Sequence, residues 1–494
     1  MIPQNPSQLP PTRYHDYMNA RVVRGLRSVS EPSRGRSYRL QRGGLLLLIV
    51  GSAVTIPLAD VRGITLTGDR LLGLAALALT LLLTVSGRVR WTAIHTALAL
   101  FVAVQIACSS LNAGAWPHGL RLVTIYLLGF GCFALTAAWV ASRDAQWWAV
   151  RVWIGTGVAV GLLGAGAGCW ANLARARVWG SGIVQEPTNQ FSGGVLLFAG
   201  RATFAEWNLL CSFLLIPFAL ALWRWAGRAD WDRRSWIGLG VLGAMVAGLV
   251  FGITRAAWLS MAALVAFWWW MQRPRLSRLA ALAALIALAF LVQAAAIQAS
   301  SASLVRDPLG RAAAIGPDMP PAPPEPPGWW TSSPLVSRVI EPVRKGYDWN
   351  MAGRGRISRV TIQSWRERPL VGHGAGSTNR LSVVLEDGTR ITKLWNGNIG
   401  LFVLHDSGIV GLAALIVLIA VVARRGWWWA HSRPDAASAS VATPLLAAGV
   451  ALLFCYQFTH GLWIMYPYVY LGLLTTVLEP QSRQSPSGME HDPA

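Results

Sequence analysis

"FGITRAAWLSM", Phe251 to Met261, is the stretch on which the reading of the chain turns. Between Ile237 and Gln272 the only charge is Arg255, and a guanidinium at the centre of a bilayer costs at least about 3 kcal/mol. A helix crosses the hydrocarbon core in about 20 residues. The apolar run of 36 residues is too long for one span and suits two short ones, joined by a tight turn near Gly252 to Thr254. Arg255 then sits at a membrane surface rather than in lipid.

Working outward, the rest of the chain fits that setting. Of 494 residues 54% are hydrophobic and 13% charged, about half the charge of an ordinary soluble protein. The reading is an all-α polytopic membrane protein. Lys and Arg number 43 against 22 Asp and Glu. The arginines fall in short clusters between apolar runs, the pattern of topology signals rather than of a nucleic-acid-binding face. The five cysteines lie within or at the ends of apolar runs with no CxxC or Cys/His spacing, which supports neither a disulfide framework nor a zinc site. Eight arginines between Arg13 and Arg42 precede the first apolar run. That leader is too long, and lacks the cleavage motif, for a signal peptide; it reads as a cytoplasmic tail, residues 1–42.

Twelve candidate spans follow: 43–60, 71–86, 92–112, 120–142, 147–170, 205–225, 237–253, 256–272, 278–299, 399–423, 441–459 and 462–479. The scheme groups nine spans in 43–299 and three in 399–479, with a cytoplasmic tail at 480–494. Alternate connections carry Arg88 and Arg90, Arg143, Arg224 to Arg234, Arg273 to Arg278, and Arg424 to Arg433. Under the positive-inside rule these are cytoplasmic, as are both termini. Two long loops, 171–204 and 300–398, then face outside a cytoplasmic (inner) membrane.

The longer outer loop opens with "PDMPPAPPEPPGWW", Pro317 to Trp330, an extended spacer by composition. In "GRGRISRVTIQSWRERP", Ile357, Val360, Thr361, Ser364 and Trp365 recur at helical spacing before Pro369, predicting an amphipathic helix on the outer face. "PLVGHGAGS" places Gly372, Gly374 and Gly376 around His373. Such a loop serves either to bring amides to an anion or sugar, or as a tight turn re-entering the membrane surface. "SVVLEDGTRITKL" reads as a hairpin about Asp387-Gly388. His405 and Asp406, inside the tenth span, read as a satisfied buried pair.

The outer side therefore gathers Arg201, Arg255, Arg354 and Arg356, with Glu206 and Asn208 at the start of the sixth span. Guanidinium forks bind phosphate oxygens bidentately and keep their charge, so a lipid-linked diphosphate is the candidate substrate. Arginines would also stabilise charge on a departing diphosphate. The outer loops hold no DxD-type acidic pair, and the expected chemistry uses no metal and no cofactor. The bland alternatives are an interfacial anchor for Arg255 and a solvated helix face for Arg354 and Arg356.

Four motifs in one order resemble the O-antigen ligase and O-antigen polymerase superfamily. They are "RATFAEWN" ending at Asn208, "GITRAAWLSM" with Arg255, "GRGRISRVTIQSWRERPLVGHGAG" with Arg354 in the arginine position and Arg356 one slip away, and "NGNIGLFVLHDSGIVG" with Asn398. The resemblance implies a GT-C-like membrane glycosyltransferase acting on an undecaprenyl-diphosphate-linked glycan. It would transfer the glycan with inversion to a lipid A-core or other acceptor outside the membrane. Arg255 and Arg354 would be catalytic, and Arg201, Glu206, Asn208, Arg356 and Asn398 would bind substrate. The sequence departs from the pattern at Gly397, where ligases carry a histidine thought to assist catalysis. His373 from the neighbouring loop is the candidate replacement; the alternative leaves the acceptor proton to water. Two other activities stay open: a polymerase of the same superfamily, and a non-enzymatic lipid-linked sugar transporter.

Overall fold

The computed structural model describes residues 36–55, 57–61, 64–87, 89–112, 116–174, 199–226, 231–306, 354–384, 390–392, 397–432, 436–459 and 461–479. The proline-rich tract, most of the loop 171–204, the Asp387-Gly388 turn and the two terminal tails up to residue 35 and from 480 lie outside the described residues.

Every predicted apolar segment carries a helix: α1 (Arg36–Ser52), α2 (Gly68–Val85), α3 (Ala93–Ser110), α4 (Trp116–Trp139), α5 (Arg143–Ala174), α6 (Trp207–Ala226), α7 (Arg233–Phe251), α8 (Arg255–Gln272) and α9 (Leu276–Arg306) in the first part. Helix α10 covers residues 354–365, and α11 (Ile399–His431), α12 (Ala436–Cys455) and α13 (Tyr466–Leu478) complete the helices among the described residues. Among the described residues eight of them are long and apolar enough to cross a membrane, and Ala439–Cys455 of α12 and the whole of α13 are shorter apolar helices. Arg255 and the clustered tryptophans lower the hydropathy of α8, and Arg36, Arg39 and Arg42 open α1.

The boundaries differ from expectation where local chemistry intervenes. Helix α1 starts in the arginine-rich leader and stops at Ser52, because the sequence then turns through Pro57 into a strand, β1 (Pro57–Val61), paired antiparallel with β2 (Ile64–Thr67). A second short ladder pairs β3 (Ser382–Val384) with β4 (Arg390–Thr392), Val383 opposite Ile391.

Helix α6 lies at the centre, with Leu209 to Ile216 buried, and packs on α5, α7, α8 and α12. A second group joins α2, α3, α4, α11 and α13. At the periphery α2 and α9 turn Leu74, Leu82, Leu288 and Leu291 outward, each more than half exposed, as a lipid-facing helix would.

Contacts between chain-distant residues separate two ends. At one, Trp148 Nε1 donates to the Arg42 carbonyl at 3.2 Å, Arg425 pairs with Glu479 at 3.6 Å, and buried Arg278 lies 5.2 Å from the Trp225 ring. At the other, Thr55 N donates to Thr203 O at 2.9 Å and Gly200 N to Phe251 O at 3.0 Å. This second end, called here the loop end, holds Arg255 and everything predicted for the site.

Candidate functional site

The turn between α7 and α8 is strained. Ile253, a β-branched residue, takes φ +52°, a conformation costing of order 1–3 kcal/mol. Its neighbours hold it there: the Thr254 hydroxyl donates to Asn208 Oδ1 at 2.9 Å, Trp258 Nε1 donates to Leu249 O at 2.8 Å, and Ile253 packs with Ala199 beneath Trp207 and Trp258. Ala202, φ +49°, lies in the adjoining turn. Two neighbouring turns thus carry two of the three left-handed non-glycine residues among those described.

This strain fixes the start of α8, where Arg255 is the first helical residue. The N-terminus of a helix is already its positive end. The Thr254 side chain makes no cap bond to α8, and no acidic residue occupies the first turn. Arg255 adds a cation where the dipole disfavours one, an arrangement suited to an anion.

Arg354 arrives from the other side. It begins α10, and its Nη1 donates to the carbonyl of Phe458 at 2.9 Å, with the guanidinium 6.0 Å from the Phe458 ring. Although the residue is exposed, enough protein surrounds the guanidinium that burial, followed by the positive field of Arg255, draws its pKa below the ordinary arginine value. Of the two arginines predicted to be catalytic, Arg354 thus lies within the positive field of Arg255. Arg356, half-buried, follows two residues on.

Gly397 belongs to the same construction. A Cβ there would stand 2.0 Å from the Phe458 carbonyl oxygen, the atom that holds Arg354. A side chain at 397, histidine included, requires that carbonyl to move. Asn398 next to it caps α11, its Oδ1 accepting from Leu401 N at 2.9 Å while its Nδ2 donates to Gln457 Oε1 at 3.1 Å. Its amide is thus engaged in anchoring α11 to the turn after α12.

Arg201, Glu206 and Asn208 share the turn leading into α6. Arg201 Nη1 donates to Ala205 O at 2.9 Å. Burial raises the pKa of the Glu206 carboxyl, and the nearby Arg201 charge offsets part of that rise. Through Asn208 this turn is bonded to the residue preceding Arg255.

His373 is elsewhere. Its Nε2 donates to Ser364 O at 2.8 Å, so that nitrogen carries the proton, and its ring stacks on His405 with centroids 4.9 Å apart. Ser364 lies nearly three turns along α10 from Arg354, ~15 Å at 1.5 Å per residue. The geometry does not bring His373 to the arginine pair.

What His373 joins is a crossing of two backbones. Within α11, Gly408 leaves the helical region with φ 65° and ψ −162°. The glycine loop fills the gap: His373 N and Gly374 N donate to His405 O and Asp406 O at 3.0 and 2.8 Å, while Ile409 N and Val410 N donate to Pro369 O and Leu370 O at 2.9 and 3.2 Å. A Cβ on Gly408 would stand 2.2 Å from Leu370 O, and one on Gly372, also at φ +65°, 2.6 Å from Asp406 backbone. Asp406 accepts from Gly376 N, Ser377 Oγ, Thr378 N and Thr378 Oγ1 at 2.6 to 3.1 Å. Since the amides of Gly372, Gly374 and Gly376 are all engaged, the loop is a structural turn and not a cradle for an anion or sugar.

Sequence reasoning passed over the bed on which this crossing rests. Gln105 donates to Ser407 Oγ at 2.8 Å, Ser109 Oγ accepts from Ala375 N at 3.0 Å, and Asn112 Nδ2 reaches Gly372 O at 3.2 Å. Gln105 and Ser109, four apart on α3, with Asn112 just past its end, form a polar series at helical spacing in an apolar run, a signal available in the sequence. Phe458 gave none, because it acts through its carbonyl. No family model and no curated protein matches the sequence.

Proposed function

We propose that the chain is a GT-C type membrane glycosyltransferase, O-antigen ligase-like, with twelve spans and its loop end outside the cytoplasmic membrane. In this reading it moves a glycan from undecaprenyl diphosphate to a lipid A-core or other surface acceptor. One observation carries the reading: Arg354, held by Phe458 O, lies in the positive field of Arg255, which begins α8 at its positive end. Two guanidinium groups that share a positive field suit an anion, and a diphosphate offers several oxygens to two guanidinium forks.

The chemistry follows from that placement. An acceptor hydroxyl attacks the anomeric carbon as the bond to diphosphate breaks, and inversion results from attack opposite the leaving group. Arg255 and Arg354 stabilise the charge that develops on the diphosphate, and preorganised charges in a partly dry site favour the transition state over bound substrate.

The test is transfer by purified protein from a polyprenyl-diphosphate glycan, with and without acceptors and chelator. Single-block transfer to an acceptor is the expected outcome, lost in Arg255→Ala at unchanged expression and membrane insertion. Wild-type transfer by that variant would sink the diphosphate role, and chain lengthening without a separate acceptor would make the enzyme a polymerase.

A further inference from the structure

We infer that the joint between the starts of α7 and α9, at the end opposite the loop end, is a binding site for the headgroup of an acidic phospholipid. Residues 231–239 and 272–279 hold five arginines and one carboxylate, Asp232. That carboxylate caps α7, its Oδ1 accepting from Ser235 N at 2.8 Å. Side chains lock the two helix starts together. Trp225 Nε1 donates to Ser235 O at 3.0 Å, the Arg278 guanidinium donates to Trp225 O and lies 5.7 Å from the Trp231 ring, and Trp231 Nε1 donates to Ser277 Oγ at 3.3 Å. Arg278 is buried and belongs to this frame.

What the frame displays is cationic and apolar at once. Arg233 and Arg234, the first two residues of α7, are exposed, as is Arg275, the residue before α9. Trp236, Ile237 and Leu276 beside them are each more than half exposed, and the Trp236 ring lies 5.0 Å from that of Trp231. Farther along α9, Leu288 and Leu291 continue an outward apolar face. Guanidinium forks suit phosphate oxygens, indoles settle at headgroup level, and outward leucines suit acyl chains. A nucleic acid or an acidic protein segment would engage the arginines and leave the apolar residues in water. A phospholipid engages all three groups, and each arginine near a membrane surface favours an acidic headgroup over a neutral one. The corner formed by α11 and α13 differs, because there Arg425 pairs with Glu479 at 3.6 Å.

Native mass spectrometry of the purified protein, titrated with dioleoyl phosphatidylglycerol and with dioleoyl phosphatidylcholine, compares the two headgroups on identical chains. Wild type binds phosphatidylglycerol at least about tenfold more tightly. In Arg233→Gln/Arg234→Gln/Arg275→Gln that preference falls below about threefold, with phosphatidylcholine binding unchanged. Removing the same charge at exposed positions of other segments, in Arg39→Gln/Arg90→Gln/Arg424→Gln, leaves the preference intact. Equal affinity of the wild type for both lipids overturns the site. So does an equal loss of preference in the second variant, which would make the protein's total charge the cause. If the first variant does not fold, Arg275→Gln decides, since that residue lies in the connection and not in a helix. It lowers the preference about three- to fivefold, and an unchanged preference overturns the site.

Discussion

At Ile253 and at Gly408 the backbone leaves the helical region with positive φ, 52° and 65°, at the same end of the bundle. In sequence both places look alike, a charge beside a glycine-containing break in an apolar run. At Gly408 the acidic side chain is buried and surrounded by donors, and His405 O, Asp406 O, Ile409 N and Val410 N at the break have partners from the segment 369–374. At Ile253 the neighbouring side chains hold the turn, while Arg255 opens α8 with no acidic residue in the first turn and its positive field reaches Arg354. A buried charge whose neighbours satisfy it serves the fold. On the proposed function, a charge placed in the field of another of its kind is where a diphosphate would bind.

The contrast predicts that the two places separate stability from activity. The largest effect is expected for Gly408→Ala, which combines a left-handed φ with backbone 2.2 Å from the new Cβ. It should cost about 4 kcal/mol or more, read as loss of folded protein in a thermal melt in detergent; a melt like wild type would show that the crossing is pliable. Next comes Arg255→Ala, expected to lower transfer about 100- to 1000-fold with an unshifted melt, and a lowered melt would place Arg255 with Asp406 as a structural charge. Gly397→Ala, whose Cβ meets the carbonyl that holds Arg354, should lower kcat about tenfold while leaving most of the fold's stability. Wild-type kcat there would mean that Arg354 keeps its place without Phe458. The smallest effect belongs to His373→Ala: transfer per folded molecule changes less than about threefold, and the lost Ser364 bond lowers stability by about 1 kcal/mol. A loss of kcat with the melt intact would return His373 to the chemistry.

Most of the helical architecture was legible because apolar runs, prolines and arginine clusters are local signals. So was the turn at Gly252 to Thr254, since a lone arginine in a 36-residue apolar run has few places to go. The two arginines were legible only as residues on one side; what holds Arg354 is Phe458 in the turn after α12, far away in sequence. His373 misled because a histidine among glycines resembles a catalytic loop, whereas its neighbours turn out to be backbone carbonyls that no motif encodes. Gly397 was read as a missing histidine. In three dimensions it is a position where the chain needs the absence of a side chain.

The crossing at Gly408 also constrains how the molecule is assembled. The loop from Pro369 to Gly374 and the break in α11 complete each other's hydrogen bonds, and both rest on α3, made much earlier in the chain. Neither strand of the crossing has its partners until the other has left the ribosome. The first turns of α11 therefore await their partners with open backbone groups, and Gln105 and Ser109 of α3, with Asn112 just past its end, are made roughly three hundred residues earlier, to judge from the separation of Gln105 and Ser407. The last three helices close a fold whose docking surface was laid down at the beginning.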